Sequence, residues 1–221
     1  MPPKKDWKGR PADECIAKIV AVLKAEHDDE CGLHFQGPFE LLIATILSAQ
    51  CTDERVNKVT PALFKKYPTP KKMAQADIED LEALIRSTGF FRQKAKSLHA
   101  VAEALHEQFN DKVPNDMDAL TALPGIGRKT ANVVLGTAFG EAAMPVDTHV
   151  KRLANRLGLT KHSDPVKIER DLLQLVDEDE QTGFSHRLIW HGRRVCFARK
   201  PNCPECALAP YCPSETNTIE K

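Results

Sequence analysis

Four of the seven cysteines, Cys196, Cys203, Cys206 and Cys212, fall in one short stretch with the spacing C-x6-C-x2-C-x5-C. Thiolates confined to so short a loop can converge on one metal centre, whereas Cys15, Cys31 and Cys51 are scattered through helical segments and read as small buried apolar residues. Spacing alone leaves two occupants open: a structural zinc, more often held by two separated C-x2-C pairs, and an iron–sulfur cluster, which also takes four cysteine thiolates. Residues 186–202 add Arg187, Arg193, Arg194, Arg199 and Lys200 with no acidic residue. A metal pinning both ends of the loop between Cys196 and Cys203 directs Arg199 and Lys200 toward phosphate.

A second constellation is LPGIGRKTANVVL at residues 123–135. Two glycines at alternate positions, Gly125 and Gly127, read as a tight turn between helices that turns main-chain N–H groups toward an anion at a helix N-terminus. Lys129 stands two residues past the second glycine. The positive potential there favours its neutral, nucleophilic form, so an amine attacking a sugar carbon and a second phosphate contact are both open readings. Downstream, Asp147 in VDTH has the position of a helix N-cap. The same carboxylate can take up the proton of the lysine or stabilise positive charge on a sugar.

The elements that must hold these groups read as helices. Ile16, Ile19, Val20 and Leu23 recur at three- and four-residue spacing within residues 12–26, as do Leu98, Val101, Ala102 and Leu105 further on, and no period-two alternation is convincing. Thr69-Pro70 and Asp164-Pro165 each pair an N-cap with proline at the first helical position. The expectation is an all-α protein, opened by a basic, solvated N-terminal tail.

The 221 residues carry 31 Lys+Arg against 31 Asp+Glu, which excludes a diffuse polycation and leaves room for a local basic face. No stretch has the length of a membrane span, no secretory leader is evident, and the cysteine count is odd, so an intracellular, reducing setting without a membrane partner is expected.

Taken together, LPGIGRKTANVVL, VDTH at 146–149, HGR at 191–193, ILSAQCTD at 46–53 and the cysteine spacing resemble the endonuclease III family of helix-hairpin-helix DNA glycosylases, over roughly residues 20–212. The resemblance implies a two-lobed all-α fold. Residues 31–141 would form a six-helix barrel with the hairpin, and residues 1–30 with 142–221 a lobe holding a 4Fe-4S cluster on the four cysteines, the active groups facing a cleft between the lobes. It implies a bifunctional glycosylase/AP lyase that excises oxidised pyrimidines from duplex DNA, with Lys129 as nucleophile and Asp147 as its acidic partner. DNA contacts are implied for Gly125, Ile126, Gly127, Arg128, Thr130 and His149, along with Arg199 and Lys200. Gln50 and Phe90 resemble the polar plug and apolar wedge that fill the gap left by a flipped nucleotide; a core aromatic after the Gly89 turn is the other reading of Phe90. Phe90-Phe91-Arg92 departs from the usual small aliphatic followed by tyrosine. Relatives that excise adenine or mismatched thymine generally lack the lysine, and the adenine group carries a glutamate where this chain has Ala44. The implied partner is double-stranded DNA bearing damaged pyrimidines or abasic sites, met by a monomer. The alternatives are a weak or silent iron–sulfur DNA-binding module and a mismatch-specific glycosylase of the same superfamily.

Overall fold

The computed structural model describes residues 12–214; the basic N-terminal tail read from the sequence lies outside them. The described residues form eleven α-helices and four short 3-10 turns, with no strand among them. They divide into two compact units, one containing the chain up to Glu30 and from Ala142 onward, the other Cys31–Glu141. No described helix is long and apolar enough to cross a membrane.

The contiguous unit contains α2 (Pro38–Leu47), α3 (Asp53–Lys66), α4 (Pro70–Ala74), α5 (Ile78–Ile85), α6 (Phe91–Phe109), α7 (Met117–Ala122) and α8 (Arg128–Ala138), seven helical segments of which α4 is little more than one turn. Helix α2 is apolar nearly all round, with Leu41, Leu42, Ile43, Ala44 and Leu47 buried, as a central helix must be. Leu63, Met73, Leu81, Ile85 and Leu98 close a core around it. The starts of α3, α4 and α7 are capped by the side chains of Thr52, Thr69 and Asp116, each worth about 1 kcal/mol.

The second unit joins α1 (Ala12–Glu26) to α9 (Thr148–Arg156), α10 (Pro165–Leu173) and α11 (Gln181–Arg194), followed by the 3-10 turns Cys203–Glu205 and Ala209–Tyr211. Ile16, Ile19 and Leu23 of α1 pack in one core with Val150, Leu153, Leu172, Phe184, Leu188 and Leu208. The Asp164 side chain caps α10, accepting from Lys167 N at 3.0 Å, with Pro165 beside it.

Candidate functional site

Helix α7 ends at Ala122, and the chain turns with Ile126 N donating to Leu123 O at 3.1 Å and Gly125 at φ +73°. A side chain rarely adopts that conformation, so glycine is required there by geometry. Leu123 and Ile126 are buried, Ile126 only 5% exposed. Ile126, expected among the DNA contacts, therefore uses its side chain to anchor the turn, leaving only its main chain to meet a phosphate. Helix α8 starts at Gly127 with no side-chain cap, in contrast to α3, α4 and α7. Arg128 and Lys129 are exposed on its first turn, and Thr130 is half-buried. A helix start without a side-chain cap, beside a glycine turn, has the dipole that favours an anion.

Gln50 and Phe90 share an unusual backbone. Both lie in the left-handed region, at φ 52° and 48°, where a residue with a Cβ costs roughly 1–2 kcal/mol. Both are exposed, Phe90 by 68%, which overturns the core-aromatic reading. Phe91 is instead the aromatic that packs on the core, with the Arg86 and Arg92 guanidinium carbons each 5.6 Å from its ring centroid. Lys94, on the first turn of α6, is buried. Its Nζ donates to Leu47 O and Thr88 O, each at 2.8 Å. Burial pushes its pKa down, and the nearby Cys51 thiol opposes that.

In the other unit, Asp147 caps α9 as expected, its Oδ1 accepting from both His149 N and Val150 N at 2.8 Å. One oxygen thus carries the cap, and Oδ2 stands outside it. His149 is half-buried. Its Nδ1 faces the Arg152 guanidinium at 3.2 Å, and burial holds its pKa below the ordinary range. The glycine of the HGR motif now has a reason: a Cβ at Gly192 would meet His149 Nδ1 at 2.8 Å and Arg152 Nη2 at 2.9 Å. His149 is therefore used in packing α9 on α11.

The four cysteines line one cavity of about 250 Å³, together with Arg156, His191 and the apolar side chains of Leu153, Leu157 and Leu208. Burial pushes the Cys206 thiol up, reinforced by Cys196, Cys212 and Cys203 around it. Among the described residues no three Cys, His, Asp or Glu groups close on a point where a single ion could sit. His191 lies with Nε2 3.4 Å from Cys206 Sγ and Nδ1 3.0 Å from His27 Nε2. Burial, with His27 alongside, pushes its pKa to about 4, leaving the ring neutral.

Two arginines of α9 that sequence reasoning missed hold this loop. Arg152 Nη2 donates to Gly192 O and Cys196 O, both at 2.9 Å. Arg156 Nη1 donates to Cys196 Sγ at 3.2 Å and Phe197 O at 2.8 Å, and its Nη2 to Ala198 O at 3.0 Å. Their i, i+4 spacing puts them on one helix face, the single signal the sequence offered. The loop is thus pinned by protein groups as well as by whatever its thiols bind. Arg199 and Lys200 are exposed on it, Lys200 at φ 54°.

The wholly basic reading of residues 186–202 needs correction. Arg187 is buried and paired with Asp29 at 2.6 Å and Glu180 at 3.0 Å, so it serves the fold. Arg193 and Arg194 lie over Trp190, at 5.3 and 4.5 Å from its ring centroid. Among the acidic residues between 164 and 182, Glu169 is buried and Glu180 binds Lys24 as well as Arg187.

Residues 43–178 match the family described as HhH-GPD superfamily base excision DNA repair protein, which defines the class. Over 199 residues the chain is 57% identical to the endonuclease III of Synechocystis sp., covering 89% of this chain and 91% of that protein. It also superposes on a non-covalent endonuclease III–DNA complex with TM-score 0.89 at 43% identity, over 95% of this chain and 99% of that one. For a trapped endonuclease III–DNA covalent intermediate the TM-score is 0.86 at 42% identity, over 94% and 96%. The chain belongs to the endonuclease III family.

Proposed function

We propose that Lys129 and Asp147 carry out the chemistry on an oxidised pyrimidine flipped out of duplex DNA. The chain is a DNA glycosylase and AP lyase of base excision repair, as its family is. The observation that carries the assignment is Lys129, exposed on the uncapped first turn of α8 beside the glycine turn. The exposed amine lies next to N–H groups suited to a phosphate.

A base stacked in a duplex is out of reach, so the nucleotide is extruded, at a cost that falls when damage weakens pairing. Gln50 supplies hydrogen bonds to the orphaned partner base, and Phe90 supports the opened stack. Nζ of Lys129 attacks C1′ as the glycosidic bond breaks, and the base leaves with the bonding pair and takes a proton from water. The amine, cationic after attack, passes one proton by way of Asp147 to the ring oxygen O4′ as the C1′–O4′ bond breaks, which leaves the iminium. That iminium acidifies the C2′ proton, whose loss expels the 3′ phosphate by β-elimination and nicks the strand. Asp147 takes up the proton of the lysine and offsets positive charge on the sugar; its cap bonds fix one oxygen and leave the other for this work.

Cys196, Cys203, Cys206 and Cys212 fit a 4Fe-4S cluster. All four line one cavity, and four cysteine thiolates are the donor set such a cluster takes. When bound, the cluster supplies a cross-link and one-electron redox capacity. Gly125, Gly127, Arg128 and Thr130 hold the DNA backbone at the hairpin, with Arg199 and Lys200 contacting phosphate from the pinned loop. The protein acts as a monomer on intracellular DNA.

Borohydride reduction on abasic or thymine glycol duplex is expected to trap a covalent complex. Lys129→Gln should abolish trapping and excision while leaving DNA binding measurable. Trapping that survives the substitution sinks the lysine assignment. Iron and sulfide analysis of the purified protein tests the cluster, and stoichiometric zinc without iron rejects it. Excision of mismatched adenine in preference to thymine glycol or dihydrouracil would overturn the substrate class.

A further inference from the structure

Lys94 is the only buried lysine among the described residues, 5% exposed, and the reaction above does not use it. Its two acceptors come from different elements. Leu47 is the last residue of α2, and Thr88 the last of the 3-10 turn Arg86–Thr88. Within three residues of each, the chain enters the left-handed region at a residue other than glycine, Gln50 after Leu47 and Phe90 after Thr88. The ammonium therefore sits at the root of both strained loops and ties them to α6. A charged donor between two carbonyls is a stronger tether than a neutral one, and the C-terminal end of α2 favours a cation there.

We infer that Lys94 is a positioning residue that fastens the Gln50 and Phe90 loops to each other, so that plug and wedge enter the opened base step as one preset pair. The inference rests on the reading of Gln50 and Phe90 given above. Strain at two left-handed residues persists only where the surroundings over-determine it. Lys94 holds the chain leading into both loops, through the main-chain oxygens of Leu47 and Thr88. Its side chain is too deeply buried to serve as a surface contact to DNA.

The test uses full-length, cluster-loaded protein and separates base extrusion from the lyase step. Single-turnover excision is measured on thymine glycol duplex, and strand cleavage on a preformed abasic site in single-stranded DNA, which needs no extrusion. Lys94→Met should slow duplex excision by roughly tenfold to a hundredfold, as expected when positioning is lost away from the chemistry, and leave single-strand cleavage within about twofold. Lys94→Arg, which keeps the charge and the donors, should recover most of the loss. Adding Lys94→Met to a Gln50→Ala, Phe90→Ala double variant should slow duplex excision no further, because the function that Lys94 supports is already removed. Equal slowing on both substrates, or a further loss in the triple variant, would overturn the inference. If Lys94→Met does not fold, Lys94→Gln, shorter by one atom and uncharged, takes its place in the same comparison with the same two outcomes. If Gln50→Ala and Phe90→Ala leave duplex excision unchanged, the plug-and-wedge reading fails; if they slow it and the Lys94 variants do not, the inference about Lys94 alone fails.

Discussion

The hairpin at residues 123–129 and the cysteine loop at 196–212 both expose basic side chains, Arg128 and Lys129 on one and Arg199 and Lys200 on the other, yet they are held by opposite means. The hairpin is set by backbone and nearby apolar anchors: Gly125 in the left-handed region, Leu123 and Ile126 buried, α8 starting without a cap. The cysteine loop is set by guanidinium groups from another helix, Arg152 and Arg156, donating to its carbonyls and to Cys196. A locally specified loop keeps its shape as long as its own residues are right, whereas a remotely specified one depends on how α9 packs on α11. At Gly192 that packing leaves no room for a Cβ.

The largest effect on this contrast is expected at Gly192. Gly192→Ala drives a methyl group into His149 and Arg152 and should lower stability by about 2–3 kcal/mol, the cost of overpacking, as read by urea unfolding. It should also loosen the loop, visible as faster amide exchange at residues 196–202. Normal exchange there would mean that the loop does not depend on the α9–α11 contact. Arg156→Ala comes next. Losing the charged donor to Cys196, Phe197 and Ala198 should cost about 1.5–3 kcal/mol and weaken duplex binding at low salt more than at high salt, since the loop charges lose their aim. Gly125→Ala is the matched perturbation in the hairpin. Its left-handed strain is about 1–2 kcal/mol, with the affinity loss confined to the hairpin and no change in exchange at residues 196–202. A change there would erase the distinction between the two regions.

The smallest effect concerns pH. Lys24 and Arg187 hold the Glu180 carboxyl below the usual glutamate range. A carboxyl lowered on folding stabilises fully above its unfolded pKa of about 4.3 and loses that contribution as pH falls below it. Glu180→Gln should therefore cost up to about 1 kcal/mol at pH 7, because the group is partly solvated, and make acid unfolding less steep. An unchanged acid limb would show that the pair contributes nothing measurable.

Much of this was legible in the sequence because the signals were local. Residues 12–26 form a helix with Ile16, Ile19 and Leu23 inside, and Thr69, Asp147 and Asp164 are caps with side-chain hydrogen bonds. The residues that were missed have distant partners. Arg156 reaches Cys196 across 40 positions, Lys94 reaches Leu47 across 47, and His27 meets His191 across 164. Residue type also misled where burial decided the outcome. Arg187 read as part of a basic face and is an internal ion pair. Phe90 allowed two readings, and only its exposure in the folded chain separated them.

The division of the chain into one unbroken unit and one assembled from both sides of it has a consequence for synthesis. Residues 31–141 can collapse on their own core as soon as they leave the ribosome. Helix α1 emerges earlier, with Ile16, Ile19 and Leu23 needing partners that begin at Met144. At about 5–20 residues per second that wait is on the order of ten seconds. Over that interval the nascent chain displays an apolar stripe whose partners in the folded protein have yet to be made.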